Sequence, residues 1–270
     1  QMATGTWYGQ AFTDTLINIE AVRGSSGNDT LIGDNNSNEL NGKAGDDNIN
    51  TGNNVGGIVG YDYVQGHTGN DTITFGQGQG YFIVDYNWFG GTSIAVNLTL
   101  GSGQVDKGAD GVDTLVGLST ISREQDGIEI RGTGGNDTFI GSNDPGLNYV
   151  AFQGMGGDDT FTGGTVFEIV NYYRSSAGVT VTFSGDGVGT TYEDGFSGTD
   201  TFTGIDGVGG SNFNDVLTGS AGDQYFVTQG GNDIVDGGAG FDTVRYNRVD
   251  FGPLTINLGL TTGTVTGTWK

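Results

Sequence analysis

The sequence has no cysteine and a single histidine, His67. These absences exclude disulfide bonds, thiolate metal sites and a zinc site built from several histidines. Proline occurs only twice, so the chain is neither collagen-like nor a proline-rich linker. No apolar run approaches the roughly 18 residues of a membrane-spanning helix, and no signal-peptide pattern opens the sequence.

Basic residues are also scarce, because nine Lys and Arg stand against 32 Asp and Glu and leave a net charge of −23. Nucleic acid is therefore not expected as a partner, since phosphate binding requires clustered basic residues. Three explanations of the acidity remain: solubility in a salty medium, metal binding, or an acidic surface without a role. The positions of the acids favour metal binding, as the repeats below show.

Glycine is abundant, at 55 of 270 residues, while 34% of the residues are hydrophobic and 11% are aromatic. Glycine at this level indicates many tight turns, and the β-branched and aromatic residues argue against a disordered chain. The composition thus predicts an all-β protein in which short apolar strands join glycine-rich turns.

A repeat of nine residues explains this composition. Residues 210–245 divide without remainder into GSNFNDVLT, GSAGDQYFV, TQGGNDIVD and GGAGFDTVR. The sixth position carries an acid or amide, and the eighth carries an apolar residue. Further arrays lie near 24–83 and 132–171. The strongest sixth-position matches are Asp29, Asp47, Asp71, Asp137, Asp159, Asp215, Asp233 and Asp242.

A longer repeat connects these arrays. Each array runs into a V-x-Y segment that contains Tyr86, Tyr172 or Tyr246. An alternating apolar segment follows, over 94–98, 179–183 and 254–258, and alternation of this kind predicts a half-buried strand. A glycine-rich turn and a D-T-L or D-T-F motif complete each connector. We interpret residues 1–270 as one continuous solenoid of about three units without a helix of any length.

The nonamer suits Ca²⁺, a hard cation that takes 6–8 oxygen ligands. Glycines let the backbone turn sharply and direct carbonyl groups inward, while the sixth position supplies a carboxylate. Two nonamers complete one turn of the coil, so residues 18 apart, such as Asp29 and Asp47, lie on one side. The other side carries Glu20 and Asn38, and further along Asp206, Gln224 and Asp242. We expect weak sites there at Asn38, Gln224 and Gly80, which lack a carboxylate.

These nonamers resemble the RTX, or haemolysin-type calcium-binding repeat, family. The resemblance implies a parallel β-roll with several Ca²⁺ ions between its turns, folding triggered by calcium outside the cell, and export by a type I system. It also implies a secreted or cell-surface location, and we expect the sequence to be a fragment of a larger secreted bacterial protein. Many units lack the second glycine of the family pattern, which leaves the number of ions open.

The residues leave two roles open beside calcium binding. A structural or adhesive module needs no further site, whereas a module that binds extracellular polysaccharide would use exposed aromatic residues. Trp88 is the best candidate platform among the three tryptophans, Trp7, Trp88 and Trp269, because the recurring V-x-Y tyrosines are expected in the core.

A polysaccharide lyase or epimerase would use Tyr and Arg, as in Tyr172-Tyr173-Arg174 and near Arg245 and Arg248. Recurrence at the same place in each unit favours structural reuse, however. His67 is expected in a surface loop, and no residue is assigned as catalytic.

Overall fold

The computed structural model describes residues 2–7, 10–53, 61–77, 80–89, 92–99, 102–121, 127–246, 255–257 and 264–266. This part of the chain contains β-strands and three short 3₁₀ helices, at Asn87–Phe89, Gly108–Asp110 and Leu118–Thr120, and no α-helix. No helix in these ranges is long and apolar enough to cross a membrane.

The strands of the first half of the chain are β1 (Met2–Trp7), β2 (Gln10–Thr15), β3 (Ala21–Arg23), β4 (Thr30–Ile32), β5 (Glu39–Asn41), β6 (Asn48–Asn50), β7 (Tyr61–Gln65), β8 (Thr72–Thr74), β9 (Tyr81–Asp85), β10 (Ala95–Asn97), β11 (Gly103–Asp106), β12 (Val112–Val116) and β13 (Gly127–Arg131). The strands of the second half are β14 (Thr138–Ile140), β15 (Tyr149–Gln153), β16 (Thr160–Thr162), β17 (Phe167–Asn171), β18 (Thr180–Gly185), β19 (Val188–Glu193), β20 (Asp200–Thr203), β21 (Gly207–Gly209), β22 (Val216–Thr218), β23 (Tyr225–Val227), β24 (Ile234–Asp236), β25 (Thr243–Arg245), β26 (Thr255–Asn257) and β27 (Thr264–Thr266).

Two long sheets form the body of the protein. The ten-stranded sheet has the order β3-β5-β7-β9-β13-β15-β17-β21-β23-β25, and all of its strand pairs are parallel. The 13-stranded sheet has the order β4-β6-β8-β12-β11-β10-β14-β16-β20-β19-β18-β22-β24. Because the chain alternates between the two sheets, it winds as a coil, and the predicted parallel β-roll is confirmed.

The nonamer explains these strands. Positions seven to nine form each three-residue strand, and the apolar residue at position eight points inward. Leu31, Ile49 and Ile73 are paired in register in the 13-stranded sheet and are buried. The two sheets meet through aromatic contacts such as Phe139 with Phe152, whose ring centroids lie 5.2 Å apart. Each buried side chain of this size contributes about 1.5–3 kcal/mol relative to an exposed one, so stacking many short strands produces one continuous core.

The longer repeat forms two insertions in the 13-stranded sheet. β10, β11 and β12 make an antiparallel meander between β8 and β14, and β18, β19 and β20 make another between β16 and β22. The alternating segment 94–98 buries Ile94, Val96 and Leu98, which confirms the predicted half-buried strand. The ten-stranded sheet continues past each insertion without interruption, since β9 pairs directly with β13.

Hairpins lie at both ends of the described chain. β1 pairs with β2, and β26 pairs with β27, each as a separate two-stranded antiparallel sheet. β2 ends with Asp14 and Thr15, and the last strand of each insertion likewise contains a D-T motif. We propose on this ground that the hairpins are parts of further insertions and that residues 1–270 form one solenoid.

Candidate metal centre

A line of carboxylates runs along the edge of the 13-stranded sheet where its parallel strands begin. We name it the first carboxylate line, and it consists of Asp29, Asp47, Asp71, Asp113, Asp137, Asp159, Asp200, Asp215 and Asp233. Every carboxylate of this line except the terminal Asp29 accepts a backbone N–H from the neighbouring coil. The N–H of Asp29 donates to Asp47 Oδ1 at 2.8 Å, and the N–H of Asp47 donates to Asp71 Oδ1 at 2.9 Å. Stacking of coils thus places seven of the predicted ligands in one row.

The first glycine of the nonamer makes room for this row. A Cβ atom on Gly42 would lie 2.1 Å from Asp47 Oδ2, and one on Gly154 would lie 1.8 Å from Asp159 Oδ2. Real Cβ atoms do not approach an oxygen so closely. The aspartate therefore folds back over the glycine five residues earlier, which explains why glycine opens so many of the nonamers.

The carboxylates of the first line are deeply buried except near its ends. Asp47, Asp137 and Asp159 are at most 2% exposed, whereas Asp29 and Asp233 are half-buried. Burial raises the pKa of Asp137 to about 6. Burial, together with the negative charge of Asp200, raises the pKa of Asp159 to about 9. A row of buried carboxylates without cations favours protonation, because the charged form loses its hydration.

A second carboxylate line follows the ten-stranded sheet and is less regular. The N–H of Asn38 donates to Asp62 Oδ1 at 2.8 Å, and the N–H of Gln224 donates to Asp242 Oδ1 at 2.9 Å. Its positions in order are Glu20, Asn38, Asp62, Phe82, Ile128, Val150, Glu168, Asp206, Gln224 and Asp242. Three apolar residues therefore interrupt this line at its centre.

The structure changes two details of the expected second line. Phe82, not Gly80, stands in register with Asp62, so the gap is filled by an apolar side chain. Glu20 and Asp206 are exposed, whereas Asp62 and Glu168 are completely buried and were missed. Both missed residues had a signal. Asp62 follows Asn38 by the same 24 residues that separate Asp47 and Asp71, and Glu168 is the sixth residue of GGTVFEIVN.

Sequence reasoning also missed Asp113 and Asp200 as members of the first line. They belong to the D-T-L and D-T-F motifs, which lie outside the nonamers. The hydroxyl groups of Tyr86 and Tyr172 donate to Asp113 Oδ2 at 2.9 Å and to Asp200 Oδ2 at 2.8 Å. Tyr86 and Tyr172 are buried, as predicted for the V-x-Y tyrosines, and orient these carboxylates, whereas Tyr246 is half-buried. The tyrosine and its aspartate are 27 residues apart in the first insertion and 28 in the second, and neither repeat of the sequence predicts this pairing.

The oxygen atoms of the first line fit a hard cation. Among the described residues, Asp47 Oδ2 and Asp159 Oδ2 are buried without a hydrogen-bond partner. Lys107 shows that such oxygens can bind a cation. Its buried ammonium group lies 3.1 Å from Asp71 Oδ2 and 2.5 Å from the carbonyl oxygen of His67, and it also contacts Asp113 Oδ1. Two carboxylates and a backbone carbonyl are the ligand types that Ca²⁺ prefers.

Side chains alone do not complete a site. In the described ranges, no group of three or more His, Cys, Asp and Glu side chains is arranged to hold a metal ion. Backbone carbonyls must therefore supply further ligands. The second residue of several nonamers has a left-handed backbone, with φ of 79° at Lys43, 68° at His67 and 75° at Met155. The contact between the His67 carbonyl and Lys107 shows that this turn directs a carbonyl into the first line.

A groove of about 750 Å³ lies over the outer face of the ten-stranded sheet. Its lining includes Tyr61, Tyr63, Trp88, Tyr173, Arg131 and Arg174. Trp88 is 69% exposed, as predicted for this residue. Arg131 is buried beneath the groove and forms ion pairs with Asp85 at 3.1 Å and Glu129 at 2.5 Å.

Other residues singled out in the sequence play lesser parts in the structure. His67 is half-buried and is in contact with Asn41, and Arg245 is exposed. The side chain of Trp7 and the residues Arg248 and Trp269 lie outside the part of the chain that the structure describes.

The parallel coils and the buried carboxylate rows define a calcium-binding β-roll. A protein-family model of the RTX calcium-binding nonapeptide repeat matches the chain in four copies, at residues 20–54, 59–82, 129–144 and 209–244. The chain thus contains RTX calcium-binding nonapeptide repeats, and such repeats bind Ca²⁺ at multiple sites. A comparison with curated proteins finds no match.

Proposed function

We propose that this protein is a secreted structural or adhesive module whose folding depends on Ca²⁺. The observation that carries the proposal is the first carboxylate line, where buried oxygen atoms of Asp47 and Asp159 lack partners. The proposed ligands on this line are Asp29, Asp47, Asp71, Asp137, Asp159, Asp215 and Asp233. Those on the second line are Glu20, Asp206 and Asp242.

Stacked buried carboxylates oppose folding when no cation is present. Each buried charge loses its hydration, and each repels the next along the row. When Ca²⁺ is bound, its binding free energy becomes folding free energy. Extracellular calcium modules have dissociation constants on the order of 10⁻⁴–10⁻³ M. A module of this kind remains unfolded during export and folds outside the cell, which supports a secreted or cell-surface location and a place in a larger exported chain.

A calcium titration tests this proposal. The chain is treated with EDTA, and far-UV circular dichroism is recorded as Ca²⁺ is added, with Mg²⁺ as the control. We expect a cooperative transition from coil to β-structure at sub-millimolar to millimolar Ca²⁺ and none with Mg²⁺, because the smaller ion demands strict octahedral geometry. A β spectrum and melting temperature that are indifferent to EDTA would refute the proposal.

Polysaccharide binding in the groove is a second candidate function. Tyr61 and Trp88 are 58% and 69% exposed beside Arg174, an arrangement that offers ring faces to a sugar and a cation to an acidic group. Trp88→Ala should abolish retention of the protein on a glycan array in the presence of Ca²⁺. Removal of Ca²⁺ by EGTA should also abolish retention of the unaltered protein, because the groove forms only in the folded coil. Tyr192→Ala, which removes an aromatic residue of 60% exposure outside the groove, should leave retention unchanged.

The groove favours binding over catalysis. Burial and the neighbouring Asp85 carboxylate raise the pKa of Tyr63 to about 12, so this hydroxyl is a poor proton donor or base near neutral pH. Arg131 is held between two carboxylates. A lyase or epimerase function would require turnover of an acidic polysaccharide by this chain alone.

A further inference from the structure

The two insertions have matching frameworks. In the first, β11 ends at Asp106, which pairs with Ala95; in the second, β19 ends at Glu193, which pairs with Thr180. The next residue is Lys107 in the first insertion and Asp194 in the second. Each of these lies six residues before the aspartate of the D-T motif, and the two side chains are 2% and 1% exposed.

The surroundings of this position also match. The N–H of Asp71 donates to Asp113 Oδ1 at 3.0 Å in the first insertion, and the N–H of Asp159 donates to Asp200 Oδ1 at 2.9 Å in the second. A buried tyrosine donates to the other oxygen of Asp113 and of Asp200. A positive side chain therefore stands in one insertion where a negative one stands in the other, beside equivalent pairs of carboxylates.

Lys107 supplies a positive charge to the carboxylate pair of the first insertion. Its ammonium group contacts both carboxylates of the pair and the His67 carbonyl, and its side chain is fully buried. One positive charge thus lies between Asp71 and Asp113, with three oxygen atoms around it.

Asp194 brings no positive charge to the equivalent carboxylate pair of the second insertion. Its Oδ1 accepts the N–H groups of Phe196 at 2.7 Å and Gly198 at 3.1 Å. Its Oδ2 is buried and has no hydrogen-bond partner within the described chain, as is also true of Asp159 Oδ2. The carboxylates of Asp159, Asp194 and Asp200 influence one another electrostatically, and none of the ion pairs in the described residues involves them.

We propose that this position selects the cation of each insertion: the Lys107 ammonium takes the place of a calcium ion in the first, whereas Asp194 creates a calcium site with Asp159 in the second. The inference rests on the proposed calcium dependence of the fold. Met155 occupies the place of His67 in its nonamer and has the same left-handed backbone. Its carbonyl is therefore the candidate further ligand.

The number of Ca²⁺ ions bound per chain tests this inference, measured by equilibrium dialysis on the full chain with far-UV circular dichroism as the folding check. Asp194→Asn should bind one ion fewer than the unaltered chain. Asp194→Lys should also bind one fewer and should fold at a lower Ca²⁺ concentration. Lys107→Asp should bind one more.

Asp106→Asn is the control, because it removes the same charge from an exposed carboxylate at the end of the equivalent strand. It should leave the ion number unchanged. An unchanged number in folded Asp194→Asn and Asp194→Lys, or in folded Lys107→Asp, would overturn the inference even if the unaltered chain binds calcium. Failure of the unaltered chain to bind Ca²⁺ would instead overturn the proposed function.

Discussion

Positions five and six of the nonamer both carry acids or amides, but they have different surroundings. At position five, Asn28 Oδ1 accepts the N–H of Asp46 at 2.9 Å, and Asp46 Oδ1 accepts the N–H of Asn70 at 2.8 Å, on the exposed surface. At position six, Asp47 Oδ1 accepts an N–H while its Oδ2 is buried without a partner. Asparagine can replace aspartate in the first arrangement, whereas in the second a carboxylate binds a cation more strongly than an amide does.

The substitution Asp47→Asn should therefore raise the Ca²⁺ concentration needed for half-maximal folding by at least about tenfold, since even loss of a group that only orients a metal ligand costs about 10–100-fold in affinity. The reason is the loss of a charged oxygen ligand at a site with few carboxylates. Calcium titration followed by circular dichroism measures the midpoint.

Asp46→Asn is the matched control, since it removes the same charge one residue away and asparagine already fills this position at Asn28 and Asn70. We expect its midpoint to equal that of the unaltered chain. Equal midpoints for both variants would exclude Asp47 as a ligand.

At the element scale, each insertion is secured to the coil by a tyrosine. Tyr172 directly follows β17, before the second insertion begins, and it is 4% exposed. Its hydroxyl donates to Asp200 in the last strand of that insertion. The hydroxyl of Thr191 in the middle strand donates to the Tyr172 oxygen at 2.8 Å. The tyrosine thus links both later strands of the meander to the core.

Removal of this hydroxyl by Tyr172→Phe should lower the free energy of unfolding by about 1–3 kcal/mol in saturating Ca²⁺, because Asp200 and Thr191 lose a buried partner. Thermal unfolding measures the change. The control is Tyr192→Phe in the same insertion, where the ring is 60% exposed, and it should be neutral. If the two variants have the same melting temperature, the hydroxyl does not stabilise the insertion.

At the scale of the whole molecule, the net charge of −23 and the buried carboxylates couple folding to pH. Burial raises the pKa of Asp47 to about 6 and that of Asp200 to about 7, above the value of about 3.9 expected in the unfolded chain. The folded, metal-free chain therefore holds protons more tightly than the unfolded chain. This contribution to stability is complete below about pH 4 and is lost as the pH rises through the folded-state values.

In EDTA, where the chain is expected to be unfolded near neutral pH, we thus expect the β-structure seen by far-UV circular dichroism to increase as the pH is lowered from 8 to 5. In the presence of Ca²⁺ the trend is opposite, because protons compete with the metal for the same oxygens, and the folding midpoint should move to higher Ca²⁺ at pH 5. Circular dichroism of the metal-free chain and calcium titrations at both pH values provide the measurements. A metal-free chain whose β-structure does not increase between pH 8 and pH 5 would contradict the assignment of raised pKa values to these carboxylates.

Much of this architecture follows from local spacing. The nine-residue period, with glycine at position one and an apolar residue at position eight, predicted the coil, the inward face that contains Ile49, and the row that contains Asp47 and Asp71. The alternating segments predicted strands, and Trp88 was correctly expected on the surface. These features depend on contacts between neighbouring coils, which repeat wherever the spacing repeats.

The sequence by itself therefore determined the class of protein, the family of its repeats and the row of aspartates that we propose as ligands, because each nonamer encodes its own turn and strand. Only the tertiary structure decided how the insertions enter the sheet, and with them the places of Asp113, Asp200, Lys107 and Asp194. Lys107 meets Asp71 across 36 residues of sequence because β12 returns to pair with β8. The physical reason is that the closure of the meander, rather than any local period, brings these charges together.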